Sequence, residues 1–380
     1  MRSRAMGFAR ILVSRGHAVK IIMPPWQTPE DQNKRWSEDG IDLEYVSLAG
    51  GIIPTVGRMV RMAKQFEPDV IWGFKPKAYS GMAMFWLWQT KLGRRPPLLI
   101  TDTDDWEGWG GWNDIADYST VQKYFFAWQE RWGMSHCHLL TYASQALGNR
   151  AQGMGISPEN SLYLPNGPGI STGQVPAEAI INLREKLGTH KRPTLLLYSR
   201  LFEFDTQRLI NVLQKVHAEV PDLAVLSIGA GLFEDQATGF RAQLAQANLL
   251  DTFIDVGWLE EKDLPAHLQS ADVGLYLMDD TLLNRTKCPV KLADMVAMGL
   301  PIAAEAVGEI PLYVADQQNG ILQPSGDIKG VANALISMLK NHSDNKAFSK
   351  AAIERHTHMF AWEATVSKLE QKLEEIHESA

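Results

Sequence analysis

The chain has 380 residues, of which 45% are hydrophobic and 21% are charged, and its formal net charge is −7. This length predicts two domains of ordinary size, and the acidic balance argues against a protein that binds nucleic acid. The sequence contains no apolar run of about twenty residues and no signal-peptide pattern, so we expect a cytoplasmic protein without a transmembrane helix.

The first half of the chain alternates short aliphatic runs with helical patterns. In this half we predict strands at 18–23, 43–46, 70–72, 98–101, 139–142 and 161–164. We predict helices at 4–14, 57–65, 80–91, 121–134 and 144–153. Because a helical pattern opens the chain where a doubly wound domain normally has a central strand, we expect the first strand of this domain to be missing.

A segment rich in proline and glycine, at 165–176, interrupts the alternation and predicts a connection between two domains. After it we predict strands at 194–199, 224–228, 253–256, 273–277, 302–304 and 320–322. We predict helices at 206–220, 239–247, 261–270, 290–298, 328–340, 344–355 and 362–379. This order favours parallel sheets, so the sequence predicts an α/β fold with two Rossmann-like domains facing a ligand cleft.

The most informative segment leads into the predicted helix 290–298. Three cations, Arg285, Lys287 and Lys291, lie at the entry and in the first turn of this helix. Pro289 suits the first helical position, whose N–H has no partner within a helix. Because positive charge at a helix N-terminus opposes the macrodipole, we expect an anion to bind here; the alternative is a solvated helix start.

The same helix also predicts a mixed group of charges. If it extends back to Lys287, then Lys287, Lys291 and Asp294 share one face at positions i, i+4 and i+7. Two cations and a carboxylate would then converge. A nucleotide would match both kinds of group, because its anionic diphosphate can bind the two cations and its ribose diol can donate hydrogen bonds to the carboxylate.

Short motifs follow one another along the chain in a fixed order and spacing. They are Leu164-Pro-Asn-Gly167, Tyr198-Ser-Arg200, Ser227-Ile-Gly-Ala-Gly231, Asp255-Val-Gly-Trp-Leu259, Lys291-Leu-Ala-Asp294 and Met298-Gly-Leu-Pro301. Together they resemble the glycosyltransferases of GT-B fold and family 4 type, and the resemblance extends over nearly the whole chain.

The resemblance implies a domain plan and a reaction. It implies an acceptor-side domain at 1–166, a linker at 167–192, a sugar-nucleotide donor domain at 193–355 and a final segment, 356–380, whose helix packs back on the first domain. The implied reaction is a retaining, metal-independent transfer from a UDP-sugar or GDP-sugar to a glycan or lipid-linked acceptor. Synthesis of a surface polysaccharide or glycoconjugate is the implied pathway, and no further cofactor is expected.

Donor-site roles also follow from the local chemistry. Gly229 and Gly231 follow a predicted strand, where missing side chains let backbone N–H groups approach a nucleotide. Arg200 ends a strand, where its guanidinium can hold a phosphate in bidentate fashion, and Trp258 would flank the base. The alternatives are two loop glycines, a surface arginine and a core tryptophan. The predicted donor site comprises Arg200, Gly229, Gly231, Trp258, Arg285, Lys287, Lys291 and Asp294.

Three positions depart from the pattern of the family. Asp205 stands where the family usually has a lysine, Thr286 replaces the first of two glutamates, and Leu312 replaces another common glutamate. Two alternatives therefore stay open. One is a non-catalytic protein that binds a sugar nucleotide or a glycan, and the other is a sugar-nucleotide epimerase on the same fold.

The acceptor-side candidate is the segment 101–113, which follows a predicted strand and interleaves carboxylates with tryptophans and glycines. Asp104 or Asp105 is the candidate base that orients the acceptor hydroxyl. The alternative is a structural loop with an aromatic anchor. No metal is expected at these carboxylates.

A surface of the first domain predicts contact with a membrane. The predicted helix 57–65 carries Arg58, Arg61 and Lys64, and the segment 85–95 adds aromatic residues and further cations. Basic residues beside tryptophans suit the interface of an anionic bilayer. We therefore expect peripheral contact with the inner face of the membrane.

Overall fold

The computed structural model describes residues 2–90, 96–173, 175–231 and 234–378 of the chain. The predicted helix ends at residues 91 and 379 lie outside this description, as do the cations Lys91, Arg94 and Arg95. The chain divides into two compact units. Unit 1 comprises Met1–Pro165, Thr286–Cys288 and Thr365–Ala380, and unit 2 comprises Asn166–Arg285 and Pro289–Ala364.

Unit 1 alternates strands and helices as the sequence predicts. Its strands are β1 (Lys20–Met23), β2 (Arg35–Glu38), β3 (Ile41–Tyr45), β4 (Val70–Phe74), β5 (Leu98–Thr103), β6 (Leu139–Tyr142) and β7 (Ser161–Tyr163). Its helices are α1 (Arg2–Ser14), α2 (Ile52–Gln65), α3 (Ala78–Gln89), α4 (Trp112–Ile115), α5 (Thr120–Ser135) and α6 (Gln145–Gly153).

The strands of unit 1 form two sheets. One has the order β1-β3-β2, in which β2 is antiparallel to β3, and the other is parallel with the order β4-β5-β6-β7. Helix α1 packs Met6 and Ala9 against Ile41 and Leu43 of β3. The sequence gives no apolar signal for β2, because this edge strand alternates exposed and half-buried residues.

Unit 2 has a longer alternation of the same kind. Its strands are β8 (Thr194–Tyr198), β9 (Ala224–Ile228), β10 (Phe253–Asp255), β11 (Val273–Tyr276), β12 (Ile302–Glu305) and β13 (Gly320–Gln323). Its helices are α7 (Ala177–Lys186), α8 (Thr206–Glu219), α9 (Glu234–Gln246), α10 (Leu264–Gln269), α11 (Leu282–Thr286), α12 (Val290–Ala297), α13 (Ile310–Tyr313), α14 (Ile328–Lys340) and α15 (His342–Arg355). The last helix, α16 (Trp362–Glu378), begins in unit 2 and continues into unit 1.

The sheet of unit 2 is parallel throughout and has the order β10-β9-β8-β11-β12-β13. The strand order reverses between β8 and β11, which is the doubly wound arrangement of Rossmann-like domains. Its core is continuous and apolar, with Leu195 and Leu197 of β8 packed among Leu209 and Leu213 of α8 and Leu335 of α14. This core fixes the strand ends at which a ligand can bind.

The segment predicted as a linker, 167–192, contains helix α7. Glu178 lies in its first turn and Arg184 and Lys186 in its last, which suits the helix macrodipole. Arg184 donates to the Asp272 carboxylate at 2.9 Å and to the Ser270 carbonyl at 3.0 Å. Proline and glycine density therefore indicates an irregular connection only before this helix.

Among the described residues, no helix has both the length and the apolar character needed to span a membrane.

Candidate donor and acceptor sites

A crevice lies in unit 2 at the carboxyl ends of β8 and β11, where the strand order reverses. It is lined by Tyr198 and Ser199 of the first strand end, by Tyr276 and Leu277 of the second, and by Lys291 of α12. Its enclosed part has room for about one water molecule, so a larger ligand must bind at its open edge. Ligands of doubly wound sheets bind at this position.

Lys291 brings a buried cation to this crevice. Its Nζ is buried and has no hydrogen-bond partner among the residues that the structure describes. The Nζ lies 4.6 Å from the ring centroid of Tyr198 and 5.9 Å from that of Trp258. Burial, together with nearby Arg200, lowers the pKa of Lys291 to about 8. A buried ammonium without an acceptor is costly, and an anionic ligand would supply the missing acceptor.

Asp294 lies one turn further along α12 and is fully engaged with protein groups. The Gly169 N–H donates to its Oδ1 at 2.6 Å, and the Tyr198 hydroxyl donates to its Oδ2 at 3.4 Å. Burial raises the pKa of Asp294 to about 7, although both donors oppose this shift. The carboxylate therefore positions Tyr198 beside Lys291, and the predicted contact with a ribose diol would compete with these bonds.

Of the two predicted glycines, Gly229 brings its backbone close to Lys291, and Gly231 lies against helix α9. Gly229 has φ +67°, and a Cβ at this position would lie 3.7 Å from the Lys291 Nζ. Gly231 has φ +84°, and a Cβ there would lie 2.6 Å from the Cβ of Ala237 in α9. A side chain at either position would be strained, and at Gly231 it would also separate the strand end from the helix that follows.

Trp258 is an exposed tryptophan rather than a core one, with 66% of its surface accessible. The Arg200 guanidinium carbon lies 5.8 Å from its ring centroid, and the Lys291 Nζ lies at a similar distance. Two cations thus flank one indole face within unit 2. An exposed ring beside two cations can stack on the base of a nucleotide while the two cations bind the phosphates of that nucleotide.

The expectation that Lys287 shares a helix face with Lys291 and Asp294 is wrong. Helix α12 begins at Val290 with Pro289 as its N-cap, so residues 287–289 separate it from α11. Proline disfavours helical backbone in the residue before it, which stops the helix from running back. Lys287 belongs to unit 1, whereas Lys291 belongs to unit 2.

Arg285 is placed in an exposed ion pair rather than in the group around Lys291. Its Nη2 donates to Asp280 Oδ2 at 2.7 Å. The neighbouring Asp279 accepts from the Nη1 of Arg208 at 2.5 Å. Each of these two aspartates therefore has its own arginine.

In the part of the chain that the structure describes, no group of His, Cys, Asp or Glu side chains is arranged to hold a metal ion.

In unit 1 the two candidates for the general base, Asp104 and Asp105, lie beside the ammonium of Lys75. The Lys75 Nζ lies 3.5 Å from Asp104 Oδ1 and 3.5 Å from Asp105 Oδ2. The Trp112 indole N–H donates to Asp105 Oδ2 at 3.2 Å. The buried Oδ1 of Asp104 has no donor in hydrogen-bonding geometry among the described residues. The contact of this oxygen with Lys75 is thus an ion pair at 3.5 Å rather than a close hydrogen bond.

The two aspartates differ in proton affinity. Burial opposes ionisation of Asp104, but Lys75 outweighs this effect and lowers the pKa of Asp104. At Asp105, burial and the adjacent Asp104 prevail over Lys75 and Lys287, so the pKa of Asp105 is raised. Neighbouring carboxyls whose pKa values are pushed apart suit different roles, and Asp104 is the one whose ionised form Lys75 favours. Asp104 is the better candidate of the two.

Glu107 joins two lysines on the other side of this group. Its Oε1 accepts from the Lys75 Nζ at 2.8 Å and its Oε2 from the Lys77 Nζ at 2.5 Å. Lys77 also donates to the Tyr118 hydroxyl at 3.0 Å and lies 4.4 Å from its ring centroid. Burial, followed by the charge of Glu107, raises the pKa of Glu130 in α5 well above its usual range. Burial and the charge of Glu107 thus disfavour a second carboxylate anion beside Glu107.

Lys75 and Lys77 have no part in the sequence prediction, although they hold the group together. They flank Pro76 directly after β4, and Lys75 (φ +59°) and Ala78 (φ +50°) adopt left-handed backbone. The Gln129 side chain fixes this turn by accepting from the Ala78 N–H at 2.8 Å and donating to its carbonyl at 3.2 Å. Strained backbone of this kind concentrates at functional sites. A Lys-Pro-Lys run at a strand end was the available signal.

The segment 101–113, which we call the acidic loop, is folded around the buried ring of Trp106. Its indole N–H donates to the Trp109 carbonyl at 2.8 Å, and the Arg150 guanidinium carbon lies 3.8 Å from its ring centroid. A Cβ at Gly111 would lie 2.1 Å from the Trp106 carbonyl oxygen, so this position requires glycine. Outside, Trp109 and Tyr124 form an exposed edge-to-face pair with ring centroids 5.3 Å apart. The predicted aromatic anchor and an exposed aromatic surface are both present.

The segment Thr286–Cys288 supports the same loop within unit 1. The Trp106 backbone N–H donates to the Thr286 hydroxyl at 3.3 Å, and the Ser144 hydroxyl donates to the Thr286 carbonyl at 2.7 Å. The Lys287 Nζ lies 5.6 Å from the ring centroid of Trp112. The residue that replaces a family glutamate is therefore fully buried and anchors the loop.

The other two departures also have structural roles. Asp205 caps α8, because its carboxylate accepts from the Gln207 N–H at 3.0 Å. Leu312 lies in α13, and its carbonyl accepts from the Arg355 Nε at 2.6 Å.

A doubly wound sheet with a buried cation at its switch point, the place where the strand order reverses, defines a Rossmann-like protein suited to a phosphorylated ligand. Two family models match successive parts of the chain: one described as a glycosyl transferase 4-like domain at residues 1–167, and one described as glycosyl transferases group 1 at residues 192–341. The chain therefore belongs to the group 1 glycosyltransferases, a family of transferase enzymes, and the resemblance is confirmed.

Solved structures and a curated relative agree with this assignment. Anabaena Alr3699/HepE, solved in complex with UDP, has a TM-score of 0.72 at 17% identity and covers 98% of this chain and 95% of that chain. WaaG, a glycosyltransferase involved in lipopolysaccharide biosynthesis, has a TM-score of 0.67 at 16% identity over 96% and 94% of the two chains. The TM-scores show that the fold is GT-B, as predicted, and at these low identities the similarity shows the fold alone.

The curated relative matches over a short stretch. A D-inositol 3-phosphate glycosyltransferase of Mycobacteroides abscessus is 38% identical over 73 residues, 19% of this chain. That stretch is 16% of the length of the relative. The donor, the acceptor and the activity of the present chain must therefore be argued from its own residues.

Proposed function

We propose that this chain transfers a sugar from a nucleoside-diphosphate sugar, a UDP-sugar or a GDP-sugar, to a glycan or a lipid-linked acceptor. Unit 2 would bind the donor and the acidic loop of unit 1 the acceptor. The transfer would retain the anomeric configuration, would need no metal ion and would serve surface polysaccharide or glycoconjugate synthesis.

The observation that carries this proposal is the buried, unpartnered ammonium of Lys291 at the switch point of the sheet. A diphosphate would supply its missing acceptor, and Arg200 would contribute a second cation. The exposed ring of Trp258 would stack on the base. Fixed cations of this kind stabilise the charge that develops on the departing nucleoside diphosphate.

On the acceptor side the proposal assigns the base to Asp104. Its Oδ1 has a long ion-pair contact with Lys75, at 3.5 Å, and no closer donor among the described residues, and Lys75 lowers the pKa of this carboxyl. In a transferase this oxygen would orient the acceptor hydroxyl and would take its proton as the new glycosidic bond forms. Asp105, whose pKa is raised, would remain a hydrogen-bonding partner.

Calorimetric titration with UDP, GDP and ADP tests the donor site directly. We expect saturable binding of one nucleotide, weakened about tenfold or more by Lys291→Ala, because a charge-assisted contact to phosphate is lost. Lys215→Ala is the matched control, since Lys215 is an exposed lysine of α8. Loss of affinity in both variants, or in neither, would contradict the role of Lys291.

A second candidate function is binding of a sugar nucleotide or glycan without transfer. It is favoured by Thr286, whose hydroxyl is engaged by the Trp106 N–H where the family has a glutamate. Release of UDP or GDP from sugar nucleotides, measured with and without an acceptor panel, separates the two candidates. Turnover supports the transferase, and its absence in a sample that binds nucleotide supports the binding protein.

We also propose peripheral membrane contact through unit 1. An aromatic face crosses α3 and α5: the ring centroids of Phe85 and Trp128 lie 5.8 Å apart, as do those of Phe125 and Trp128. These three rings are partly exposed, and Arg61 on α2 is exposed as well. Amphipathic aromatic residues beside a cation favour the headgroup region of a bilayer.

A further inference from the structure

We propose that the acceptor bound beside Asp104 is a neutral polyol, such as an unphosphorylated sugar, and that the site disfavours acceptors carrying phosphate or carboxylate near the reacting hydroxyl. This inference rests on the proposed function and deepens it by naming the charge class of the acceptor.

Three carboxylates, Asp104, Asp105 and Glu107, form what we call the acidic group. The first argument is that the lysines beside this group are already held by its carboxylates. Lys75 lies within 3.5 Å of carboxylate oxygens of Asp104, Asp105 and Glu107. Lys77 is bound by Glu107 and by the Tyr118 hydroxyl. An anionic acceptor would therefore have to displace an existing ion pair to find a cation.

The neighbouring cations of unit 1 are engaged as well. Arg4 makes a bidentate pair with Asp102, at 2.8 Å and 2.7 Å. Lys287 lies over the Trp112 ring and acts on Asp105. Arg150 differs from these two: its guanidinium lies over the buried ring of Trp106, which occupies one of its faces, but its buried Nε has no hydrogen-bond partner among the described residues.

The second argument is that the carboxylates around Lys75 have more acceptor capacity than the protein fills. The Asp104 Oδ1 has only a long ion-pair contact with Lys75, at 3.5 Å, and a sugar hydroxyl is a neutral donor that suits such an oxygen. The exposed pair of Trp109 and Tyr124 offers apolar ring faces at the edge of the same loop. Hydroxyl donors together with C–H faces are the surface that an uncharged sugar presents.

The third argument is that this part of unit 1 disfavours a further negative charge. Glu130 is fully buried, and its carboxyl lies close enough to Glu107 for the charge of Glu107 to act on it. Burial and Glu107 raise the pKa of Glu130 so far that this carboxyl resists ionisation. A phosphate would add charge where the protein already disfavours it.

The test compares matched neutral and anionic ligands: glucose with glucose 6-phosphate, and myo-inositol with inositol 3-phosphate. Binding is measured by saturation-transfer NMR with saturating UDP or GDP, whichever binds, so that phosphates cannot occupy the donor site. In the wild type we expect each neutral ligand to bind about tenfold or more tightly than its phosphorylated partner.

Glu107→Gln releases Lys75 and Lys77 from their shared carboxylate and should reduce this preference about tenfold. Glu159→Gln, on an exposed turn of unit 1, is the matched control and should leave the preference unchanged. If Glu107→Gln does not fold, the wild-type comparison alone decides.

The outcomes are distinguishable. Equal or tighter binding of the phosphorylated ligands by the wild type overturns the inference, as does a preference that Glu107→Gln leaves unchanged. Absence of binding by all four ligands, in a sample that binds nucleotide, overturns the acceptor site and the inference with it. Failure to bind any nucleotide instead overturns the proposed function.

Discussion

Single residues set the electrostatics of this chain, and Lys291 is the clearest case. With a pKa of about 8, it is charged in roughly 90% of molecules at pH 7 and in roughly 10% at pH 9. Because the anion binds the charged form, nucleotide affinity should fall about tenfold between these pH values. Calorimetry at a series of pH values checks this, with Lys291→Ala as a variant that should show no such loss. A wild-type affinity that is flat across this range would contradict the assignment.

Arg4 and Asp102 form a buried ion pair that should dominate the stability of unit 1. Arg4 also donates to the Leu164 carbonyl at 2.8 Å, and the Thr141 hydroxyl donates to Asp102 at 2.6 Å. Arg4→Met leaves a buried carboxylate unpaired and should lower the free energy of unfolding by about 3–5 kcal/mol. Urea denaturation measures the loss, and adding Asp102→Leu should recover much of it.

Arg10→Met is the matched control for this pair. Arg10 binds Asp39 at 2.7 Å, but both side chains are exposed to solvent. Removal of an exposed pair should change the free energy of unfolding by less than about 1 kcal/mol. Similar losses in Arg4→Met and Arg10→Met would show that burial does not decide the strength of the Arg4 pair.

At the scale of elements, Asp205 tests whether a departure from the family is structural. Its carboxylate caps α8, so Asp205→Ala should cost about 1 kcal/mol in the free energy of unfolding, and Asp205→Asn much less. Neither substitution should change nucleotide affinity, because the carboxylate is bound to the Gln207 N–H. Urea denaturation and calorimetry measure the two effects. Reduced affinity in a stable Asp205→Asn variant would assign the residue to the donor site instead.

The strands and most helices could be predicted because their apolar periodicity is local. Strand β6 (Leu139–Tyr142) and helix α14 (Ile328–Lys340) were predicted to the residue. Edge strand β2 and helix α7 were missed, since one has little buried surface and the other follows a stretch rich in proline and glycine. The start of α12 at Val290 agrees with the prediction, whereas the conditional extension of this helix back to Lys287 does not occur, because Pro289 restricts the residue before it.

The sites were predicted less completely because they depend on contacts between distant residues. The sequence indicated Lys291 and Asp104 through the segments that carry them. It gave no reason to join Lys75 to Asp104 and Glu107, which come from different strand ends of unit 1. Nor did it indicate that Arg285 would be neutralised by Asp280. Such pairings arise only from the packed fold, and the assigned roles of these residues remain predictions.

For the whole molecule, a net charge of −7 opposes binding to an anionic membrane. Any contact must therefore come mainly from local apolar burial by the aromatic face of α3 and α5. We expect co-sedimentation with anionic vesicles to fall in Phe125→Ala/Trp128→Ala and to persist at moderate salt, because apolar burial is not screened. Trp26→Ala, which removes an exposed tryptophan after β1, is the control. A wild-type protein that fails to pellet at low salt would exclude the membrane contact.

The composition of unit 1 has a consequence for recombination between relatives. Thr286–Cys288 and Thr365–Ala380 belong to this unit although they come late in the chain. A chimaera that joins residues 1–165 of this chain to the second half of a homologue would replace the partner of the Trp106 N–H and the ion-pair partner of Arg15, Glu370. Exchange of unit 1 between homologues by gene splicing therefore requires its three segments to be transferred together.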